Sequence, residues 1–363
     1  MNVATQVLQL ALRDPFRIAR HEPDQVATTV ITEIDLAGLH GLGEAYPVAY
    51  YGETAGTVRA IAPLLAEAIV GLGDPPANVP DARAWLLRAS QAMAAVVGRH
   101  GAAKAGMDIA LHDLVARGLS LPLTELLGTS ADIPPTDLSI GLDEPATVAM
   151  RAQRAGHFPA LKIKLGGTQD LATLEQVRSV YAGPIRVDAN TGWEPEAALR
   201  LLPELVRLGV ELIEQPFPAH ALPRMRWLQE RSPLPIVADE SCETETGLES
   251  LVGVVAGVNV KLMKCGGVGP ALRMMRRARE LGFKLMLGCM EETSVGIAAG
   301  AALASLADWV DLDGNLLLAS EPFGGLELDD DCRWVIGRAP GLGVERVEKS
   351  VDKLVEEGPS ARR

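Results

Sequence analysis

Charged residues recur along this chain where hydrophobic, strand-like segments end, and their spacing is nearly constant. The segments are LKIKLGG with Lys162 and Lys164, IRVDAN with Asp188, LIEQP with Glu214, IVADES with Asp239, VNVKLMKCGG with Lys264, and WVDLDGN with Asp311 and Asp313. From 162 to 188, 188 to 214, 214 to 239 and 239 to 264 the steps are 26, 26, 25 and 25 residues. One strand, one helix and two short loops take about that length, so the beat predicts a repeated βα unit. Polar residues at consecutive parallel strand ends are how a βα barrel assembles an active site.

Eight candidate strands follow from this reading: TDLSIGL (136–142), ALKIKL (160–165), PIRVDA (184–189), VELIEQ (210–215), PIVADE (235–240), VNVKLM (258–263), KLMLGC (284–289) and WVDLDG (309–314). They are nearly continuous in apolar residues, as strands buried on both faces are. Helical stretches such as LATLEQVRSVYA and PALRMMRRARELG lie between them. Strand–helix alternation implies a parallel sheet, and eight units close it into a barrel. The first hundred or so residues break the beat. VATTVITEIDLAG and GLHGLGEAYP suit antiparallel strands with one wet face, and 56–72 and 79–97 read as amphipathic helices around the breaker GDPPANVP. In 100–117, Ala103, Met107, Ala110, Leu111 and Leu114 share one helical face.

A chain of 363 residues, 48% hydrophobic, can bury a large core and suggests one big domain plus a smaller one. A net charge of -13 argues against nucleic acid or an anionic membrane as partner. The start MNVATQVLQLALRDPF lacks the basic and apolar regions of a signal peptide, and no apolar run approaches about 18 residues. Four scattered cysteines without CxxC spacing are expected to be reduced thiols of a cytoplasmic protein. The small-residue helices are compatible with a homo-oligomer.

Asp188, Glu214 and Asp239 come from three successive strands. Carboxylates converging in this way repel one another unless a cation sits among them, and all-oxygen ligation with open positions suits Mg²⁺. Lys162 and Lys164, two apart on a strand, point to the same face. A neighbouring positive charge lowers an ammonium pKa and makes a neutral lysine base accessible. Lys264 follows the sixth strand, across the mouth from the second, so two lysines can flank a carbanion. Asp311 and Asp313 suit charge-assisted hydrogen bonds to a cation. The glycines of CGGVG at 265–269 read as turn formers rather than a phosphate loop.

Taken in order, KIK, DAN, EQP, ADES, KLMKCGG and LGCMEETS resemble the enolase superfamily, muconate-lactonizing subgroup, and AGMDIALHDLVARGLSLPLTELLG resembles that subgroup's first barrel helix. The resemblance covers nearly the whole chain. It implies an α/β fold, a modified (β/α)8 barrel over 116–319, with an N-terminal α+β capping domain over 1–115 completed by about 320–363. It implies Mg²⁺ held by Asp188, Glu214 and Asp239, with Asn190 and Glu240 orienting the ligands. Lys164 and Lys264 become the acid–base pair, with Lys162 tuning Lys164; a lysine base with Mg²⁺ stabilising an enediolate is the superfamily's strategy. The DLD of the eighth strand is similar to that of dipeptide epimerases, which assigns Asp311 and Asp313 to a dipeptide's α-ammonium. The implied reaction is a 1,1-proton transfer at the Cα of the C-terminal residue. Cycloisomerisation, o-succinylbenzoate synthesis and N-acylamino acid racemisation use the same ligands and lysines.

Side-chain selectivity rests on loops. Some epimerases of this branch that act on Ala-Glu place an arginine in the first-domain loop, which here reads FRIARHEPDQV. It carries Arg20 and His21, then the acidic Glu22 and Asp24, and Glu291 adds a carboxylate after strand seven. The expected preference is a dipeptide whose second residue is neutral or cationic. Loops at about 16–25 and 46–54 are expected to close over the substrate.

Overall fold

The computed structural model describes residues 1–19 and 21–347. β1 (Asn2–Phe16), β2 (Asp24–Leu36) and β3 (Leu39–Ala45) form an antiparallel sheet in that order. Ala37 and Gly38, both at positive φ, make the two-residue hairpin between β2 and β3 that a right-twisted ribbon favours. α1 (Ala55–Val70) starts at a Thr54/Thr57 capping box and α2 (Val79–Val96) at Asn78, so the breaker between them supplies the next N-cap. α3 (Gly101–Gly118) and α4 (Leu123–Leu127) lead to the barrel.

The barrel strands are β4 (Leu138–Ile140), β5 (Leu161–Lys164), β6 (Ile185–Asp188), β7 (Val210–Glu214), β8 (Ile236–Ala238), β9 (Gly257–Lys261), β10 (Lys284–Gly288) and β11 (Trp309–Asp311), parallel neighbours in sequence order. A parallel bridge between Thr136 and Val310, with the Asp137 N–H donating to Val310 O, joins the first strand to the last and closes the ring. The connections carry α5 (Pro145–Arg154), α6 (Asp170–Val180), α7 (Pro195–Arg207), α8 (Leu222–Gln229), α9 (Leu248–Leu251), α10 (Leu262–Cys265), α11 (Val268–Glu280) and α12 (Ser294–Ala301).

Two local readings change. The sixth strand ends at Lys261, and Leu262–Cys265 is a helical turn closed by Gly266 at φ 101°. Lys264 therefore sits on that turn, and Lys261 is the last residue of the strand. α3, expected to bury one face, is buried on all sides, Asp108, His112 and Asp113 included. On one side Gly41 and Gly43 of β3 lie so close that a Cβ would come within 2.1 Å of the Ala110 and Gly106 carbonyls. On another side, a Cβ on Gly101 would meet Lys264 O at 2.2 Å. The buried Asp113 is satisfied by the Leu42 and Leu342 N–H groups and Arg117 Nε.

After the barrel the chain returns to the first sheet. Leu12 bridges Leu318, Arg13 Nε donates to Leu318 O, and Arg346 lies over the Phe323 ring and 3.5 Å from Glu33. Residues beyond 347 lie outside the described set. No described helix is long and apolar enough to cross a membrane, and all four cysteines are free.

Candidate active site at the barrel mouth

Register builds the site. Lys164 pairs with Asp188 across β5 and β6, and Asp188 pairs with Glu214 across β6 and β7, so the three stand in one layer at the carboxyl ends. Asp239 follows β8 directly, and Asn259 and Lys261 alternate along β9 with the apolar Val258 and Val260. One oxygen from each of Asp188, Glu214 and Asp239 lies within 4.8 Å of the others, and all three residues are buried.

Their hydrogen bonds are incomplete in an informative way. Asp188 Oδ1 accepts the Asn190 N–H at 2.9 Å, and Glu214 Oε1 accepts Asn259 Nδ2 at 2.6 Å. Among the described residues, Glu214 Oε2, Glu240 Oε2 and Asn190 Oδ1 are buried without a hydrogen-bond donor. Burial, then Asp188 and Asp239, push Glu214 up to about 7; burial, then Asp239 and Asp188, push Glu240 up to about 8. Orphaned oxygens and crowded carboxylates are what a hard divalent cation relieves, so the donor set fits one.

The lysines divide into distinct environments. Lys164 Nζ donates to Asp188 Oδ2 at 2.7 Å and stands 5.9 Å above the Phe16 ring. Lys162 Nζ contacts Asp311 Oδ2 and lies 3.4 Å from Glu214 Oε2. Burial opposes the charge on Lys162, but Asp311, Glu214 and Asp188 outweigh it and raise its pKa well above the ordinary value, so Lys162 stays an ammonium. Lys261 Nζ donates to Asp239 Oδ2 at 2.9 Å, and Lys264 Nζ to Asp239 Oδ1 at 2.5 Å. Burial alone would raise the Asp239 pKa, but these two ammoniums hold it well below the carboxylate range. β5 and β9 are four strands apart in a ring of eight, so Lys164 and Lys261 face each other across the mouth.

Residues 2–128 match the mandelate racemase / muconate lactonizing enzyme N-terminal domain, and 145–350 match the enolase C-terminal domain-like family. The chain belongs to the enolase superfamily. Within its muconate-lactonizing branch it is most similar to dipeptide epimerases. It is 36% identical to the L-Ala-D/L-Glu epimerase of Bacteroides thetaiotaomicron over 93% of this chain and 86% of that one. The dipeptide epimerase of Enterococcus faecalis, solved with Mg and L-Leu-L-Tyr, superposes with a TM-score of 0.86 at 31% identity, over 95% of this chain and 99% of that one. The dipeptide epimerase of Methylococcus capsulatus, solved with Mg and L-Arg-D-Lys, gives 0.84 at 33% identity, over 94% and 98%.

In this superfamily barrel the eighth-strand pair is asymmetric. Asp311 is used internally, with Oδ2 on Lys162 and Oδ1 accepting Ser139 Oγ at 3.1 Å. Burial opposes its ionisation, yet Lys162 holds its pKa below the carboxylate range. Asp313 Oδ2 accepts the Ser139 N–H at 2.5 Å and, among the described residues, its Oδ1 has only the Cys289 thiol, 3.7 Å away. Burial, then Asp311, push Asp313 up to about 6. Asp313 is the freer of the two.

The cap loops reach the site. A Cβ on Gly166 or Gly192 would stand 2.6 or 2.8 Å from Ala19 Cβ, so the segment after Phe16 packs onto the loops that follow the second and third barrel strands. Arg20 lies outside the described residues, and Glu22 and Asp24 are exposed. Tyr46, which follows β3, is half-buried beside Glu291; desolvation, then Glu291 and Asp24, raise its pKa well above the ordinary value. Glu291 and Asp24 thus both act electrostatically on Tyr46.

Sequence reasoning missed Lys261, Asn259 and Ser139. Strand parity was the available signal for the first two, because VNVK alternates apolar and polar residues up to the strand end. It also missed a buried acidic seam between cap and barrel. Glu44 of β3 accepts the Thr293 and Gly296 N–H groups and the Thr293 hydroxyl at the start of α12, with Glu292 and Glu321 nearby. Burial, then Glu44, push Glu292 up to about 8. With the folded value above the ordinary 4.5, the stabilisation from Glu292 is complete below pH 4.5 and is lost as pH rises through 8. Glu292→Gln does not titrate. Its melting temperature is expected to exceed that of the wild type by roughly 3 °C at pH 8 and by little at pH 5. A pH-independent difference in thermal melts would contradict this.

Proposed function

We propose that this chain is a Mg²⁺-dependent dipeptide epimerase that inverts the Cα of the C-terminal residue. The observation that carries the reading is the opposition of Lys164 and Lys261 across the three buried carboxylates. Asp188, Glu214 and Asp239 would hold Mg²⁺, and Asn190 and Glu240 would orient them. When bound, the ion supplies the positive charge that stabilises a substrate carboxylate as its α-proton leaves.

The protein's own groups perform the proton transfer. The amine of one lysine takes the Cα proton, and the C–H electron pair moves into the adjacent carboxylate as an enediolate. The ammonium of the opposite lysine then protonates the other face, which inverts the centre. The roles exchange for the reverse direction. Lys162 is kept charged by its carboxylate neighbours Asp311, Glu214 and Asp188. Lys261 replaces Lys264 in the role expected from the sequence. It ends the strand, faces the mouth and has a single acceptor among the described residues, Asp239 Oδ2.

Asp313, with Asp311 behind it, would receive the dipeptide's α-ammonium. Asp313→Asn removes the charge but keeps the shape. It is expected to lower kcat/KM on dipeptides about 100-fold, the usual cost of breaking a buried charge pair, with Mg²⁺ affinity unchanged. Undiminished dipeptide turnover would refute the role.

Similarity does not choose the side chain, because the related enzymes are named for substrates as different as L-Ala-D/L-Glu and L-Lys-D/L-Arg. Glu291 and Asp24 around Tyr46 support a neutral or cationic second residue, since a glutamate side chain there would meet like charge. The test is a dipeptide library in D₂O with Mg²⁺, scored for deuterium at Cα. Exchange of no dipeptide would overturn the epimerase reading, and preference for Ala-Glu over Lys- or Arg-containing dipeptides would overturn the selectivity.

A further inference from the structure

Lys264 is as deeply buried as the groups that do the chemistry, and its surroundings are those of a structural cation. Its side chain is 1% exposed. Nζ donates to Asp239 Oδ1 at 2.5 Å, to Asp239 O at 2.7 Å and to Asn259 O at 3.0 Å. An ammonium has three protons, and these acceptors use all three. A base needs a nitrogen lone pair aimed at the substrate; here every direction around Nζ points at strand ends β8 and β9.

The backbone holds the lysine there. α10 is a single turn whose end is fixed by Gly266 at φ 101°, and α3 packs so tightly against Lys264 O that even a methyl at Gly101 would collide. From this turn the side chain reaches back over two neighbouring strands and ties their carbonyls together. It grips Asp239 by one carboxylate oxygen, and the other oxygen, Oδ2, holds Lys261 Nζ at 2.9 Å. The three side chains form a line, Lys264 to Asp239 to Lys261.

We infer that Lys264 is a positioning residue, which fixes the Asp239 carboxylate and through it aims Lys261 at the substrate. Its ammonium neutralises charge that would otherwise draw Lys261 deeper between the carboxylates. The inference rests on the proposed role of Lys261 in proton transfer.

The test compares Lys264→Gln and Lys264→Arg with Lys261→Gln and Lys261→Arg, using a dipeptide that the wild-type protein epimerises in D₂O. In Lys264→Gln, inversion is expected to fall about 100-fold, the usual effect of misplacing a reacting group by about 1 Å. Exchange without inversion, served by Lys164, is expected to persist, so the ratio of exchange to inversion rises. Lys264→Arg keeps donors for the same acceptors and cannot act as a base, so it is expected to recover roughly tenfold of the loss, whereas Lys261→Arg recovers none. Mn²⁺ binding by the metal-free proteins, read by electron paramagnetic resonance, is expected to stay within about threefold of wild type in Lys264→Gln, because all three carboxylates remain.

Three results would overturn the inference: Lys264→Gln inverting at the wild-type rate, Lys264→Arg being inactive while Lys261→Arg is not, or Lys264→Gln losing Mn²⁺. Failure of the wild-type protein to exchange any dipeptide is a different result, because it removes the epimerase reading itself.

Discussion

Replacing Lys261 with methionine is expected to lower epimerisation by about 10⁴-fold, the upper range of what one acid–base group contributes, while Cα–H exchange continues on one face. Methionine fills a similar volume and removes only the ammonium, so the barrel should stay folded. Lys164 would still take a proton from the epimer it faces and return a deuteron to that same face. The substrate would thus gain mass without changing configuration, and only one of the two epimers would do so. Lys164→Met is expected to give the mirror result with the other epimer. Chiral chromatography and mass spectrometry of the same reaction separate the two outcomes. Surviving inversion in Lys261→Met, or loss of exchange from both epimers, would show that the two lysines do not divide the faces between them.

Replacing Glu214 with glutamine is expected to abolish turnover and yet raise the stability of the metal-free protein at pH 8. The folded pKa of Glu214 is about 7 against an ordinary 4.5. Its contribution to stability is complete below pH 4.5 and is lost as pH rises through 7, because the buried carboxylate ionises beside Asp188 and Asp239. Glutamine keeps an acceptor for Asn259 Nδ2 and does not ionise. Mg²⁺ is expected to reverse the order. An ion that binds only the folded state stabilises it by about 2.7 kcal/mol at a concentration 100 times its Kd, and the variant forfeits most of that gain. Thermal melts with and without Mg²⁺ at pH 5 and pH 8 measure both effects. A variant less stable than wild type without metal at pH 8, or one stabilised equally by Mg²⁺, would count against a metal role for Glu214.

These expectations share one physical origin. A site that buries the carboxyl groups of Asp188, Glu214, Asp239, Asp311 and Asp313 among four lysines is costly to assemble without its cation. The surrounding apolar strands and helices supply the stability that the site itself lacks. Function and metal-free stability should therefore trade against each other at Glu214, as they commonly do at active sites.

Much of the site was legible in the chain because parallel strands expose their last residues at one end of a barrel. Asp188, Glu214 and Asp239 each follow an apolar run, and that alone places them in one layer. Lys162 and Lys164 share a face through strand periodicity. The proposed exchange of Lys264 for Lys261 has an equally local origin. The distance of Lys264 from Asp239 fits the beat, whereas Lys261 falls 22 residues on. Regular spacing points to Lys264, and the alternation of VNVK points to Lys261.

Other features depend on groups brought together from far apart in the chain. Ser139 stands between Asp311 and Asp313, and Glu291 meets Tyr46 from the first sheet. Glu44 satisfies the start of a helix 249 residues later. No periodicity encodes such contacts. α3 shows the same limit, since its burial on every side follows from glycines in β3 and a turn after β9. The chain by itself determined the order of strands and helices and the chemistry at each strand end, because those follow from the periods of local backbone geometry. Only the tertiary structure decided which lysine ends the strand opposite Lys164, which of Asp311 and Asp313 is taken up by internal hydrogen bonds, and where the cap places its acids, because each depends on side chains meeting across the ring.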